Sequence, residues 1–68
     1  MMITIQFNGQ PLDVPPETSL SELLALAEIR SQVVAVEVNR EIVPRSEHGQ
    51  YQVAAGDVIE AVTLVGGG

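Results

Sequence analysis

Gly66, Gly67 and Gly68 end the chain, and they are the residues best suited to chemistry. A glycine has no Cβ, takes any backbone conformation and presents no side chain to a neighbour. A terminal run of them makes a thin tether that passes a carboxylate into the narrow active site of another protein. The competing reading is a frayed end, as chain termini often are. Placement favours the tether. The glycines follow directly on residues 58–65, whose β-branched composition predicts a firmly held strand, and the Gly68 carboxylate is expected to be free.

Nothing else in the chain competes as a seat of catalysis. His48 is the only histidine, and no serine, cysteine or carboxylate pattern around it suggests a triad. The polar stretch 45–50 predicts a solvated loop for it. The absence of cysteine excludes disulfides, thiolate metal sites and a cysteine nucleophile. There is no phosphate-binding loop and no acidic metal cluster in the sequence. The three basic residues, Arg30, Arg40 and Arg45, stand against nine acidic ones, for a net charge of −6. Nucleic-acid binding needs clustered cations, so that class is excluded. The acidic balance suits partners with basic docking faces, or serves only solubility. Residues 1–7 lack the basic region and apolar run of a signal peptide. No apolar stretch approaches the roughly 18 residues that span a bilayer. A soluble cytoplasmic protein is expected.

The elements that must hold the tail belong to one domain, residues 1–65, with 66–68 as a flexible glycine tail. A chain this short buries only about 60% of its unfolded surface, which leaves room for one core and no deep cleft. Ile3, Ile5 and Phe7 alternate with polar residues, the period of a half-buried strand. Asn8-Gly9 predicts a hairpin turn, Leu12 and Val14 the returning strand, and Pro15-Pro16 its end. Ser19 and Glu22 read as a capping box. Leu20, Leu23, Leu24 and Ala27 then form one apolar stripe on a helix ending near Ile29-Arg30. Val34, Val36 and Val38 would face the core from a central strand over 33–38. Asn39-Arg40 predicts a turn, Ile42-Val43 a short strand, Tyr51 and Val53 another extended piece, and Ala55-Gly56-Asp57 a turn into the last strand. That strand returns parallel to the first by a right-handed crossover. The order gives an α+β fold of the ubiquitin-like β-grasp type: a mixed sheet of four to five strands packed on one main helix. Val62 and Leu64 share the parity of Glu60, which puts all three on the face away from the helix as a partner-docking patch. The alternative is that a bulge or the closing sheet edge buries the two apolar residues.

Three stretches, Val38-Asn39-Arg40-Glu41-Ile42-Val43-Pro44-Arg45, Ala55-Gly56-Asp57-Val58-Ile59-Glu60 and Val65-Gly66-Gly67-Gly68, closely resemble the ThiS family. Those proteins are sulfur carriers of thiamin thiazole synthesis. The likeness covers nearly the whole chain, including Asn8-Gly9 and the helix start with Leu23-Leu24. It implies a carrier that is a substrate of enzymes rather than an enzyme. It further implies that an E1-like adenylyltransferase of ThiF type adenylates the Gly68 carboxylate, with Gly66 and Gly67 threading the tail. A persulfide donor then supplies the sulfur of a Gly68 thiocarboxylate, and a ThiG-type thiazole synthase consumes it. ATP and Mg²⁺ would be used by the adenylating partner, with no cofactor bound by this chain. Three other readings stay open. One is a molybdopterin synthase small subunit, which shares the fold, the Gly-Gly end and the adenylation. Another is a ubiquitin-like modifier joined to amines through Gly68. The last is a binding module whose tail is incidental. Length and the Val38–Arg45 motif favour the first family.

Overall fold

Two local signals begin the chain's path. Asn8 and Gly9 take φ of 50° and 83°, the left-handed pair that a two-residue hairpin turn demands. They fold β1 (Ile3–Phe7) antiparallel against β2 (Gln10–Val14), with Ile3 opposite Val14 and Ile5 opposite Leu12. The Ser19 hydroxyl then accepts the Glu22 N–H at 3.0 Å, while the Glu22 carboxylate accepts the Ser19 N–H at 2.9 Å. This reciprocal cap starts α1 (Leu20–Leu26), which buries Leu20, Leu23 and Leu24. The protein is seen here as a computed structural model that describes residues 1–29 and 33–63, with Val34 described by its backbone alone.

The helix is shorter than its apolar spacing predicts. It stops at Leu26, with Ala27 as its cap, rather than near Ile29-Arg30. Glu28 turns into the left-handed region at φ 62°. Its N–H donates to the Ala25 carbonyl at 3.0 Å, and the Ile29 N–H donates to the Leu24 carbonyl at 3.1 Å. These two back-bonds close the helix in a Schellman arrangement, usually built on glycine. With glutamate in that place, the sequence carries no visible stop. Ile29 packs against the core after the turn.

Three more strands complete one sheet: β3 (Val33–Val38), β4 (Glu41–Ile42) and β5 (Val58–Thr63), in the spatial order β2-β1-β5-β3-β4. β5 runs parallel to β1 and antiparallel to β3, so the last strand lies in the middle of the sheet, as the crossover predicts. One helix on one face of a five-stranded mixed sheet is the β-grasp arrangement. Ile5, Leu20, Leu23, Val36 and Ile59 form the centre of the core, each at most 1% exposed.

The inward face of β3 departs from simple alternation. Val36 and Val38 are buried as expected, but Val33 is buried too. A bulge between Val33 and Ala35 shifts the pairing with β5, so that Val33 lies opposite Thr63 and Ala35 opposite Val62. An extra residue on one strand changes which side chain faces inward, and a valine run gives no sign of it. The Val34 side chain, expected in the core, lies outside the described residues.

His48 is also not where its polar neighbourhood puts it. Pro44 leads into a 3-10 turn, Arg45–Glu47, and the chain then carries His48 inward to 7% exposure. Its Nε2 lies 2.9 Å from the Val43 carbonyl oxygen, and only a protonated nitrogen satisfies that acceptor, so Nε2–H donates. The His48 carbonyl in turn accepts the Ser21 N–H at 3.1 Å. The histidine is a clasp between this turn, the chain after β4 and the first turn of α1. Tyr51 and Val53 flank Gln52, which makes an isolated bridge with Ser19 rather than a strand.

Candidate functional site

β5 leads toward the glycine end of the sequence, and five polar contacts hold it and the turn that enters it. The Asn39 side-chain oxygen accepts the Val58 N–H at 2.9 Å, and its amide donates to the Asp57 carboxylate at 3.1 Å. The backbone N–H of Asn39 donates to the Val58 carbonyl at 2.8 Å. Asp57 also accepts the Ala54 N–H at 2.8 Å, closing the turn in which Gly56 adopts φ 86°. On the other side of β5, the Asn8 side-chain oxygen accepts the Ala61 N–H at 2.8 Å. Asn39 and Arg40, at φ 52° and 73°, form the left-handed turn between β3 and β4. The motif residues Asn39, Gly56 and Asp57 therefore have a physical task in common. They anchor β5, the described strand nearest the C-terminus.

The outer face of the sheet is the second feature. Glu60 is exposed and Val62 is 51% exposed, so both point away from the helix as the strand parity predicts, and neither is buried by a closing edge. Two further exposed apolar residues, which the docking patch expected from strand parity leaves out, join them. Val58 is 46% exposed and shares the parity of Glu60; Ile42 is 61% exposed and pairs with Glu37 from β4. The parity argument that found Val62 reaches Val58 equally well. Ile42 could be found only from the pairing of β4. Glu37 and Glu60 stand directly opposite each other across β3 and β5, and like charges so placed repel. The face therefore joins exposed apolar side chains to a local excess of negative charge. Leu64, also expected there, lies outside the described residues, as do Gly66, Gly67 and Gly68.

The cavities found among the described residues are small. One of about 290 Å³ is lined by Glu47, Gln50 and Tyr51. Another, of about 100 Å³, lies among Ser21, Leu24, Val33, Arg45 and His48. Both fall below the roughly 300–1,000 Å³ of ordinary small-molecule pockets. Among the described residues, no three histidine, aspartate or glutamate side chains gather as a metal would require. No helix among them is long and apolar enough to cross a membrane. Burial, followed by the negative charges of Asp57 and Glu41, pushes the Tyr51 phenol above its ordinary range. This stabilises the neutral ring and does not activate it.

Comparison with known proteins gives a consistent set of likenesses. Residues 5–68 match the ThiS family. The sulfur carrier protein ThiS of Bacillus subtilis is 34% identical, over 94% of this chain and 98% of that protein. A thiazole synthase of Paramagnetospirillum magneticum is 39% identical over 90% of this chain. The chain spans only 19% of that enzyme's length. Among solved structures, the thiamine biosynthesis protein ThiS of Geobacter metallireducens superimposes with a TM-score of 0.76 at 28% identity, over 97% of this chain and 100% of that one.

Proposed function

This chain belongs to the ThiS family of sulfur carriers in thiamin biosynthesis, carriers rather than enzymes, and from that premise we propose that its Gly68 carboxylate carries the sulfur as a thiocarboxylate. The observation that carries the reading is that the family match runs through to Gly68, in a chain whose preceding strand, β5, is held by Asn8, Asn39 and Asp57. A carboxylate is a poor electrophile, so an E1-like adenylyltransferase of ThiF type first joins it to AMP. The carboxylate oxygen attacks the α-phosphorus of ATP and pyrophosphate leaves. Mg²⁺ on that enzyme would neutralise phosphate charge. The outer sulfur of a donor persulfide then attacks the Gly68 carbonyl carbon and AMP leaves, giving an acyl disulfide. A thiol attacks the donor's sulfur of that bond, so the donor ends in a disulfide and Gly68 departs as the thiocarboxylate. Gly66 and Gly67 give the tail a width that passes a narrow channel.

Thiazole synthase is the proposed consumer of the sulfur. The support is the relative named thiazole synthase, in which a segment like this chain makes up about a fifth of one polypeptide. Fusion raises the effective concentration of two modules that must meet. We place the docking of the carrier onto the adenylyltransferase at the outer sheet face, through Glu60, Val62 and Leu64, with Val58 and Ile42 beside them. Apolar contact supplies affinity, and a basic partner surface relieves the Glu37–Glu60 repulsion. A growth test examines the function. Deleting the gene should create a requirement that thiazole alone satisfies, and a plasmid-borne Gly67→Val variant should fail to restore growth. A deletion strain that lacks molybdopterin instead, or needs nothing, contradicts the proposal.

A further inference from the structure

β5 is covered on its β3 side along its length, but on its β1 side only in part. The Asn8 N–H donates to the Ile59 carbonyl at 2.9 Å, and the Ala61 N–H donates to the Asn8 side chain at 2.8 Å. Ile59 and Ala61 thus turn their backbone groups toward β1, and the two-residue period of a strand turns those of Thr63 the same way. Pairing with β1 covers Gln6 with Val58 and Phe7 with Ile59. At Asn8-Gly9 the chain bends away into β2. The Asn8 side chain, not another strand residue, takes the next amide. Past that point the Ala61 carbonyl and the Thr63 N–H lie along the edge, and no described strand runs beside them.

A strand edge with spaced donors and acceptors is a template for another backbone. One residue that donates to the Ala61 carbonyl and accepts from the Thr63 N–H would continue the parallel ladder where β1 leaves it. We propose that this edge is a strand-addition site, and that an extended segment of thiazole synthase pairs with β5 there. This rests on the proposed function above, and the occupant is the synthase rather than the adenylyltransferase because a relative named thiazole synthase carries a segment like this chain within its own polypeptide. The edge adjoins the tail directly, so a strand laid on it also sets the direction in which residues 64–68 enter the enzyme. Backbone pairing supplies affinity while side chains of the outer face, Val62 among them, supply selection.

The chain is short enough for total synthesis, so the test is a carrier whose Thr63 amide is replaced by an ester, which removes the N–H and keeps the side chain. Circular dichroism checks the fold, and thiazole synthase from the same organism is the binding probe. Loss of one such bond should weaken binding about threefold to tenfold, and Thr63→Ala, which retains the N–H, should bind as the parent does. In the parent, hydrogen exchange at the Thr63 amide should slow when the synthase is added. The inference is overturned if the ester binds as the parent does and the Thr63 amide exchanges equally fast in the complex. It is also overturned if sedimentation shows the parent pairing with itself through an interface the ester abolishes, since the occupant is then a second copy. Thiocarboxylate formation on the ester carrier separates this from the function. A carrier that is loaded yet binds unchanged sinks the edge alone; a parent that is never loaded sinks the function.

Discussion

Asn39 offers a quantitative test of how β5 is anchored. It holds a left-handed backbone at φ 52°, and its side chain bonds both Val58 N–H and the Asp57 carboxylate. Substituting glycine keeps the backbone conformation open and removes both side-chain bonds. These bonds are exposed, so each is worth toward the low end of about 0.5–1.5 kcal/mol. Asn39→Gly should therefore cost about 1–2 kcal/mol. Asn39→Ala loses the same bonds and forces a Cβ into the left-handed region, which adds about 1 kcal/mol. In a domain of this size, each kcal/mol lowers Tm by about 4–8 °C. Urea unfolding of the three proteins measures the series directly, with the m-value reporting any change in the unfolded state. The expected order is parent, then glycine, then alanine. If alanine equals glycine, the backbone argument is wrong. If both lie within about 0.5 kcal/mol of the parent, as for an ordinary surface substitution, the side-chain bonds do not anchor the strand.

Three further outcomes are expected. Glu28→Gly should raise stability by about 0.5–1 kcal/mol, because glycine fits the left-handed helix cap without strain; thermal unfolding checks this. Leu23→Ala should cost about 2–5 kcal/mol, since Leu23 is fully buried, as denaturant titration would measure. The Tyr51 phenol is raised above its ordinary value by burial and then by Asp57 and Glu41. The unfolded chain therefore releases this proton first, and the contribution is complete below about pH 10 and lost as pH rises through the folded value. Tyr51→Phe should remove that part of the alkaline decline in stability, measured by unfolding at a series of pH values.

Much of the fold is legible because its signals are local. Asn8-Gly9 can hardly avoid a hairpin, and Ser19 with Glu22 satisfies two helix-end donors at once. The alternation in β1 and β5 fixes which side chains face the helix, and the outward parity of Glu60 and Val62 follows from it. What escapes the sequence depends on tertiary context. Glu28 ends the helix without glycine because two back-bonds and the packing of Ile29 hold it there. The bulge before Ala35 arises from pairing with β5. His48 is buried because the turn after Pro44 brings it to the Val43 carbonyl, a contact that the polar residues around it conceal. Asn39, Gly56 and Asp57 are visible as motif residues, but their shared role at the root of β5 needs the sheet order.

The central claim concerns the Gly68 carboxylate, and intact-mass measurement tests it most directly. The purified chain is incubated with a ThiF-type adenylyltransferase, Mg-ATP, a persulfide donor and a thiol reductant. Exchange of one oxygen for sulfur should raise its mass by roughly 16 Da, a covalent change at the C-terminus alone. A chain lacking Gly68, and one extended by a residue beyond it, should show no gain. A parent that stays at its original mass, or a variant that gains the same increment, would contradict the account.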